Sequence, residues 1–216
     1  MQLYGKKLGA SDGDIGHVKD FYFNDQQWAI RYVVADTGSW LSGRLVLISP
    51  HAFGDCLLVN LTRQQIENSP AIESHKPVSR QYVEEYYRGG ETWGAGGFPE
   101  APPPLHLMPS KQASDDLHLQ STQALRGYPI QTSEGAIGHV IDFIMDDKSW
   151  AICHLVVETG HWYSGKEIVI SPKHIDRISY EESKVFVNVT KEAILEAPQY
   201  HVPPLGAAYR DTRNFD

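Results

Sequence analysis

Cysteine is scarce: Cys56 and Cys153 are the two that the 216 residues contain. They do not occupy matching places in the internal repeat of the chain, so no disulfide framework is indicated. Clustered positive charge is also missing. Lys and Arg number 19 against 27 Asp and Glu, for a formal charge of −8. Nonspecific nucleic-acid affinity comes from grouped cations, so nucleic acid is not an expected partner. No apolar run reaches the roughly 18 residues a membrane helix needs. The opening MQLYGKKLGASDGD has lysines but no apolar segment behind them. A soluble, cytoplasmic chain is the expectation, with no membrane span and at most peripheral association. The zinc-type spacings C-x-x-C and H-E-x-x-H do not occur, and neither does a G-x-S-x-G elbow or a Gly-rich phosphate loop.

What the chain does contain is one pattern written twice. GHVKDFYFNDQQWAIRYVVADTGSWLSGRLVLISP runs from Gly16 to Pro50, and GHVIDFIMDDKSWAICHLVVETGHWYSGKEIVISP from Gly138 to Pro172. The copies lie 122 residues apart without a gap, and 18 of the 35 aligned residues are identical. That spacing suits a small domain rather than a solenoid repeat. Each copy reads as strands with polar turns: Ile15 to Phe23 and Trp28 to Asp36 flank Asn24–Gln27, a hairpin signature. Short strands follow at Leu45–Ile48 and Ile168–Ile170, each ending at Ser-Pro, where proline donates no ladder bond. Further on, LLVNLTRQQIENSP aligns with VFVNVTKEAILEAP at an offset of 128, so six extra residues sit within Asp176–Ser183. Thr62 with Gln65 fits a capping box, and Thr190 can cap likewise. Ser79 is the expected cap of a further helix carrying Tyr82, Val83, Tyr86 and Tyr87 on one face.

The boundaries expected from this pattern are a first module over 1–88, a Gly/Pro-rich linker over 89–118, a second module over 119–200 and a tail over 201–216. The fold expected is all-β: two small six-stranded barrels in tandem, each closed on itself and independently folded, with short helices after each.

The ordered set G-H-V-x-D-F, W-A-I, D/E-T-G-x-W, S-G-R/K, I-S-P and V-N-L/V-T-x-x-x-I, present twice, resembles the PRC-barrel family. That family includes the cytoplasmic domain of the photosynthetic reaction centre H subunit and the C-terminal domain of the ribosome maturation factor RimM. The likeness covers roughly Leu3–Arg88 and Leu125–Pro198. It implies six-stranded barrels used for noncatalytic docking. The chain departs from the H subunit in having no transmembrane helix, and from RimM in having a second barrel in place of an unrelated N-terminal domain.

Candidate chemistry is thin beside this scaffold. His17 with Asp20, matched by His139 with Asp142, invites a metal or acid/base reading, yet positions three apart on a strand point to opposite faces. A surface histidine and a turn-ordering aspartate is the reading preferred. His154, His161 and His174 have no partner at ligand spacing, and Ser42 and Ser164 read as turn residues. No catalytic residue, cofactor or metal is expected. Trp28 and Trp150 begin strands and read as core. Trp40 and Trp162, in the turns, read either as lids on the core or as partner contacts, with Tyr163 beside the latter. Along the second long strand Trp150, Ile152, His154 and Val156 alternate with Ala151, Cys153, Leu155 and Val157. Both rows are mostly apolar, so the row of Cys153, Leu155 and Val157 is expected to pack outside its own sheet, against the other barrel or across a homodimer. With Tyr86 and Tyr87 these form the expected partner-contact set. The leading function is an adaptor docking a protein partner, at a membrane-associated photosynthetic or electron-transfer complex as the H-subunit likeness implies. The alternative is a small-ligand or metal-responsive binding protein, and an enzyme ranks third.

Overall fold

A computed structural model describes residues 3–54, 57–80, 117–160 and 165–196. The first copy forms β1 (Lys7–Ala10), β2 (Gly13–Asn24), β3 (Ala29–Asp36) and β4 (Leu45–Ile48). A short strand, β5 (Leu119–Ser121), precedes the second copy. That copy forms β6 (Pro129–Thr132), β7 (Gly135–Met145), β8 (Ile152–Thr159), β9 (Glu167–Ile170), β10 (Ile175–Ser179) and β11 (Lys184–Val187). The hairpin expected at Asn24–Gln27 is present: Asn24 Oδ1 accepts from the amides of Gln26 and Gln27, and Asp146 does the same for Lys148 and Ser149 in the second copy. A short polar side chain that bonds the backbone ahead of it favours such a turn.

The glycine of each Gly-His pair lets two strands approach. A Cβ at Gly16 would stand 1.9 Å from the Asp36 carbonyl oxygen, and one at Gly138 would stand 2.1 Å from that of Glu158. Only a residue without a side chain fits there. The helix Arg63–Glu67 starts with the expected capping box between Thr62 and Gln65. In the helix Lys191–Glu196 the Ala193 amide donates to Thr190 Oγ1 at 3.3 Å. Val78 to Arg80 are helical, so Ser79 lies inside this turn rather than capping it.

The sheets differ from the expectation in closure. The second has the order β10-β11-β6-β7-β8-β9, with β11 and β6 parallel, and the first has β1-β2-β3-β4 with β5 added to β2. Among the described residues neither ring of hydrogen bonds closes. Pro172 and the 3-10 turn Pro172–His174 stand between β9 and β10, so the chain bends away at that corner instead of pairing the two edges. The six extra residues of the second copy build the β10–β11 hairpin, where the first copy has one bridge, Phe53 to Val59.

The two copies also share packing. One hydrophobic cluster draws on both copies, including Phe21, Phe23, Val33 and Ile48 from the first and Phe143, Ile152, Leu155 and Val157 from the second. β5, expected to open the second module, pairs antiparallel with Tyr22–Asn24 of β2 in the first. Leu119 there joins Tyr22, Val34, Leu47 and Ile72 in a second, smaller cluster on the outer face of the first sheet. Apolar side chains shared in this way leave each half without a complete core when it is alone. Cleavage at a protease site engineered within Pro104–Asp116 should therefore leave the two halves eluting together from a sizing column. Two separately eluting, folded halves would contradict the shared core.

Candidate functional site

The seam between the copies is built from the hairpin tips. Ala29 faces Ala151, its own counterpart in the repeat, in an antiparallel bridge. Ile30 N donates to Trp150 O at 2.9 Å, and Ile152 N donates to Trp28 O at 2.7 Å. The two bonds are the same bond written from each copy, which gives the seam a local pseudo-twofold relation. Trp28 and Trp150 both hold left-handed backbone, with φ of 51° and 57°. A bulky residue there is strained by roughly 1–3 kcal/mol and persists when its surroundings over-determine it. Here the surroundings are the reciprocal bonds and ring packing: Phe23 lies 5.3 Å from Trp28, Phe53 lies 5.2 Å from Trp150, and Phe23 lies 6.0 Å from Phe143.

Beside the seam a buried carboxylate clasps the arm that carries β5. Asp20 accepts from the Ser121 hydroxyl, from Thr122 Oγ1 at 2.9 Å, from the Gln123 amide at 3.1 Å and from the Phe21 amide at 2.7 Å. The Tyr4 hydroxyl donates to Thr122 at 2.7 Å and extends the chain of hydroxyls. Burial pushes the Asp20 carboxyl above its ordinary range, and the bonds from Ser121, Gln123, Phe21 and Thr122 act against that rise. Burial likewise raises Tyr4. At the hairpin tip Asp25 holds the same arm, taking His118 Nδ1 at 3.0 Å and Gln120 Nε2 at 2.9 Å. Both aspartates serve as fasteners, their oxygens occupied by the arm.

The residues singled out by sequence fall in different places. His17 is exposed while Asp20 is buried, so the pair does not converge. Among the described residues no group of three His, Cys, Asp or Glu is arranged to hold a metal ion. Trp40 is half-buried against the shared core, with the Arg63 guanidinium 4.9 Å over its ring, and so acts as a lid. Trp162, Tyr163, Tyr86 and Tyr87 lie outside the described residues. Leu155 and Val157 are fully buried in the cluster that draws on both copies, and Ile152, expected on the opposite row, is buried there with them. The cause is a bulge. Met145 pairs with Ile152 and Ile144 with His154, so Cys153 is the extra residue and resets the alternation, placing Ile152 on the core side with Leu155. Cys153 itself is half-buried, its Sγ 3.8 Å from the Ala151 carbonyl oxygen. Sequence reasoning missed the Asp20 clasp because its donors sit 101 to 103 residues away. The available signal was Ser121-Thr122 just past the linker, a hydroxyl pair suited to a carboxylate.

One groove, of about 550 Å³, opens along the parallel β6–β11 pair and is lined by Gln131, Thr132, Asp176, Lys184, Phe186 and Asn188 among others.

Residues 122–194 match the family model of the PRC-barrel domain. That stretch is similar to the PRC-barrel domain. The match begins at Thr122, a member of the Asp20 clasp, and ends at Ile194 in the last helix. It does not extend to the first copy, whose likeness to the PRC-barrel domain rests on the internal repeat. None of the curated proteins compared matches the chain at a significant level.

A carboxyl raised in the folded state binds its proton more tightly there than in the unfolded chain. Its contribution to stability therefore falls as pH climbs from the ordinary carboxylate range through the raised value. Urea titrations of wild type and Asp20→Asn should show wild type losing ground to the variant over that rise, and a difference that stays constant with pH would contradict the assignment. Asp20→Ala leaves the buried donors of the arm without an acceptor and should cost about 3 kcal/mol or more. A loss under about 0.5 kcal/mol, the range of an ordinary surface substitution, would show that the clasp does not hold the arm.

Proposed function

We propose that the chain is a noncatalytic adaptor whose two β-modules, joined at the Ala29–Ala151 seam, dock a protein partner. The observation that carries this reading is the reciprocal pairing of the two copies. It holds two related β-modules in a fixed relation, while Asp20 and Asp25 are bonded to the arm that carries β5. The reading takes the first copy as a PRC-type module too, on the strength of the repeat. A membrane-associated photosynthetic or electron-transfer complex is the setting that likeness to the H subunit suggests. No helix among the described residues is long and apolar enough to cross a membrane.

A second reading, binding of a small ligand, is favoured by the groove along β6 and β11. Its wall combines Lys184 and Asp176 with Phe186, itself stacked under the Arg177 guanidinium at 4.1 Å. Mixed polar and aromatic linings of this size are common in small-molecule sites. A photo-crosslinking residue separates the two. Placed at Leu58 or Leu117, exposed at 53% and 46%, it should yield a discrete protein adduct in the source cell. Placed at Phe186, it reports on the groove. A small-molecule adduct at Phe186 with no protein adduct elsewhere would contradict the adaptor reading.

A further inference from the structure

The two copies part company where β6 runs parallel to β11. Gln131 stands beside Phe186 there, and the counterpart in the first copy is the parallel bridge of Gly9 to Leu58. Leu58 lies over the bare glycine: a Cβ at Gly9 would stand 3.3 Å from Leu58 Cδ2. The second copy has polar and aromatic side chains at the same place, and they line a groove. One wall of it comes from the β10–β11 hairpin, which holds the six residues that the first copy lacks. Being parallel, β6 and β11 end on the same side and then part. Ser133 and Glu134 turn the chain into β7, while Asn188 leads away, its amide donating to the His174 carbonyl at 2.9 Å. A crevice opens where parallel strands end and their continuations diverge.

The polar groups that line this crevice are free to bind. Among the described residues the Asp176 carboxylate, the Ser133 hydroxyl and the Asn188 carboxamide make no hydrogen bond or ion pair. Asp176 sits in a bulge of β10, between Ile175 and Arg177. Phe186 is held in place by the Arg177 guanidinium 4.1 Å over its ring, and Arg177 is itself bonded to Glu182 at 3.2 Å. The charged groups of the lining are Asp176 and Lys184, one of each sign, so the groove favours neither an anion nor a cation.

Resting on the small-ligand reading, we propose that this groove binds a neutral saccharide. A carboxylate only accepts, so Asp176 needs donors from the ligand, whereas the Asn188 amide and the Ser133 hydroxyl both give and take. A run of ligand hydroxyls meets both demands, and a carboxylate takes hydroxyl donors strongly. The C–H face of a sugar ring then lies on Phe186, the aromatic surface among these polar groups. An apolar ligand would strip water from Asp176 without replacing its bonds. An ionic one would meet its own sign at Asp176 or at Lys184.

The probes are maltose, cellobiose, lactose and diacetylchitobiose, each added at millimolar concentration to the isotope-labelled full chain and followed by amide NMR. At least one should give saturable shifts at Gln131, Ser133, Phe186 and Asn188. Asp176 is exposed, so Asp176→Ala should keep the spectrum of the folded chain and bind that sugar roughly tenfold more weakly. Failure of every sugar to shift the groove would overturn the proposal, as would undiminished binding by Asp176→Ala or shifts confined to another surface. If the sugars fail while a photo-crosslinking residue at Phe186 still captures a small molecule, the saccharide class falls and the small-ligand reading stands. A residue there that captures no small molecule removes that reading, and the proposal with it.

Discussion

Everything else in this molecule hangs on the meeting of the two hairpin tips. Ala29 and Ala151 are small enough for the strands to come side by side, and each tip offers one amide and one carbonyl to the other. Two backbone bonds contribute only about 1 kcal/mol each in net terms. Their importance is geometric, because they hold Trp28 and Trp150 in left-handed backbone and so fix where the aromatic rings lie. Those rings, with Phe23, Phe53 and Phe143, bring the two inner faces into one apolar cluster. Burial of that cluster at roughly 25 cal/mol per Å² is the term that outweighs the strain.

The arm adds a second, polar tie. Leu119 covers the outer face of the first sheet, while Ser121, Thr122 and Gln123 satisfy Asp20. A buried carboxylate is costly unless its oxygens are bonded. Asp20 is held that way by residues that belong, by the repeat, to the start of the second copy. The arm therefore crosses the boundary that the sequence suggested, and neither half is finished without the other.

Much of this was legible beforehand, and the part that was not has definite causes. The repeat, the hairpins, the Leu45–Ile48 strand and the Thr62–Gln65 cap follow from local patterns, and local patterns survive folding. The face of β8 was misread because one extra residue at Cys153 shifts the period by one, and a strand shifted by one turns every side chain over. Closure was over-read because the turns at Pro50 and Pro172 look like ordinary strand ends, whereas each is a 3-10 corner that redirects the chain. The seam and the Asp20 clasp were out of reach for another reason: both join residues about a hundred positions apart, and periodicity within a window carries no information at that range. Of the expected contact residues, Leu155 and Val157 are fully buried in the shared cluster and Trp40 is half-buried against it.

Central to this account is that the two copies form one cooperative unit rather than two beads on a linker. Scanning calorimetry of the full chain tests that most directly, because a single cooperative unit melts once with equal calorimetric and van't Hoff enthalpies. One transition with that equality is the predicted result. Two transitions, each with the enthalpy of about half the chain, would mean that the copies fold separately and that the shared core does not couple them.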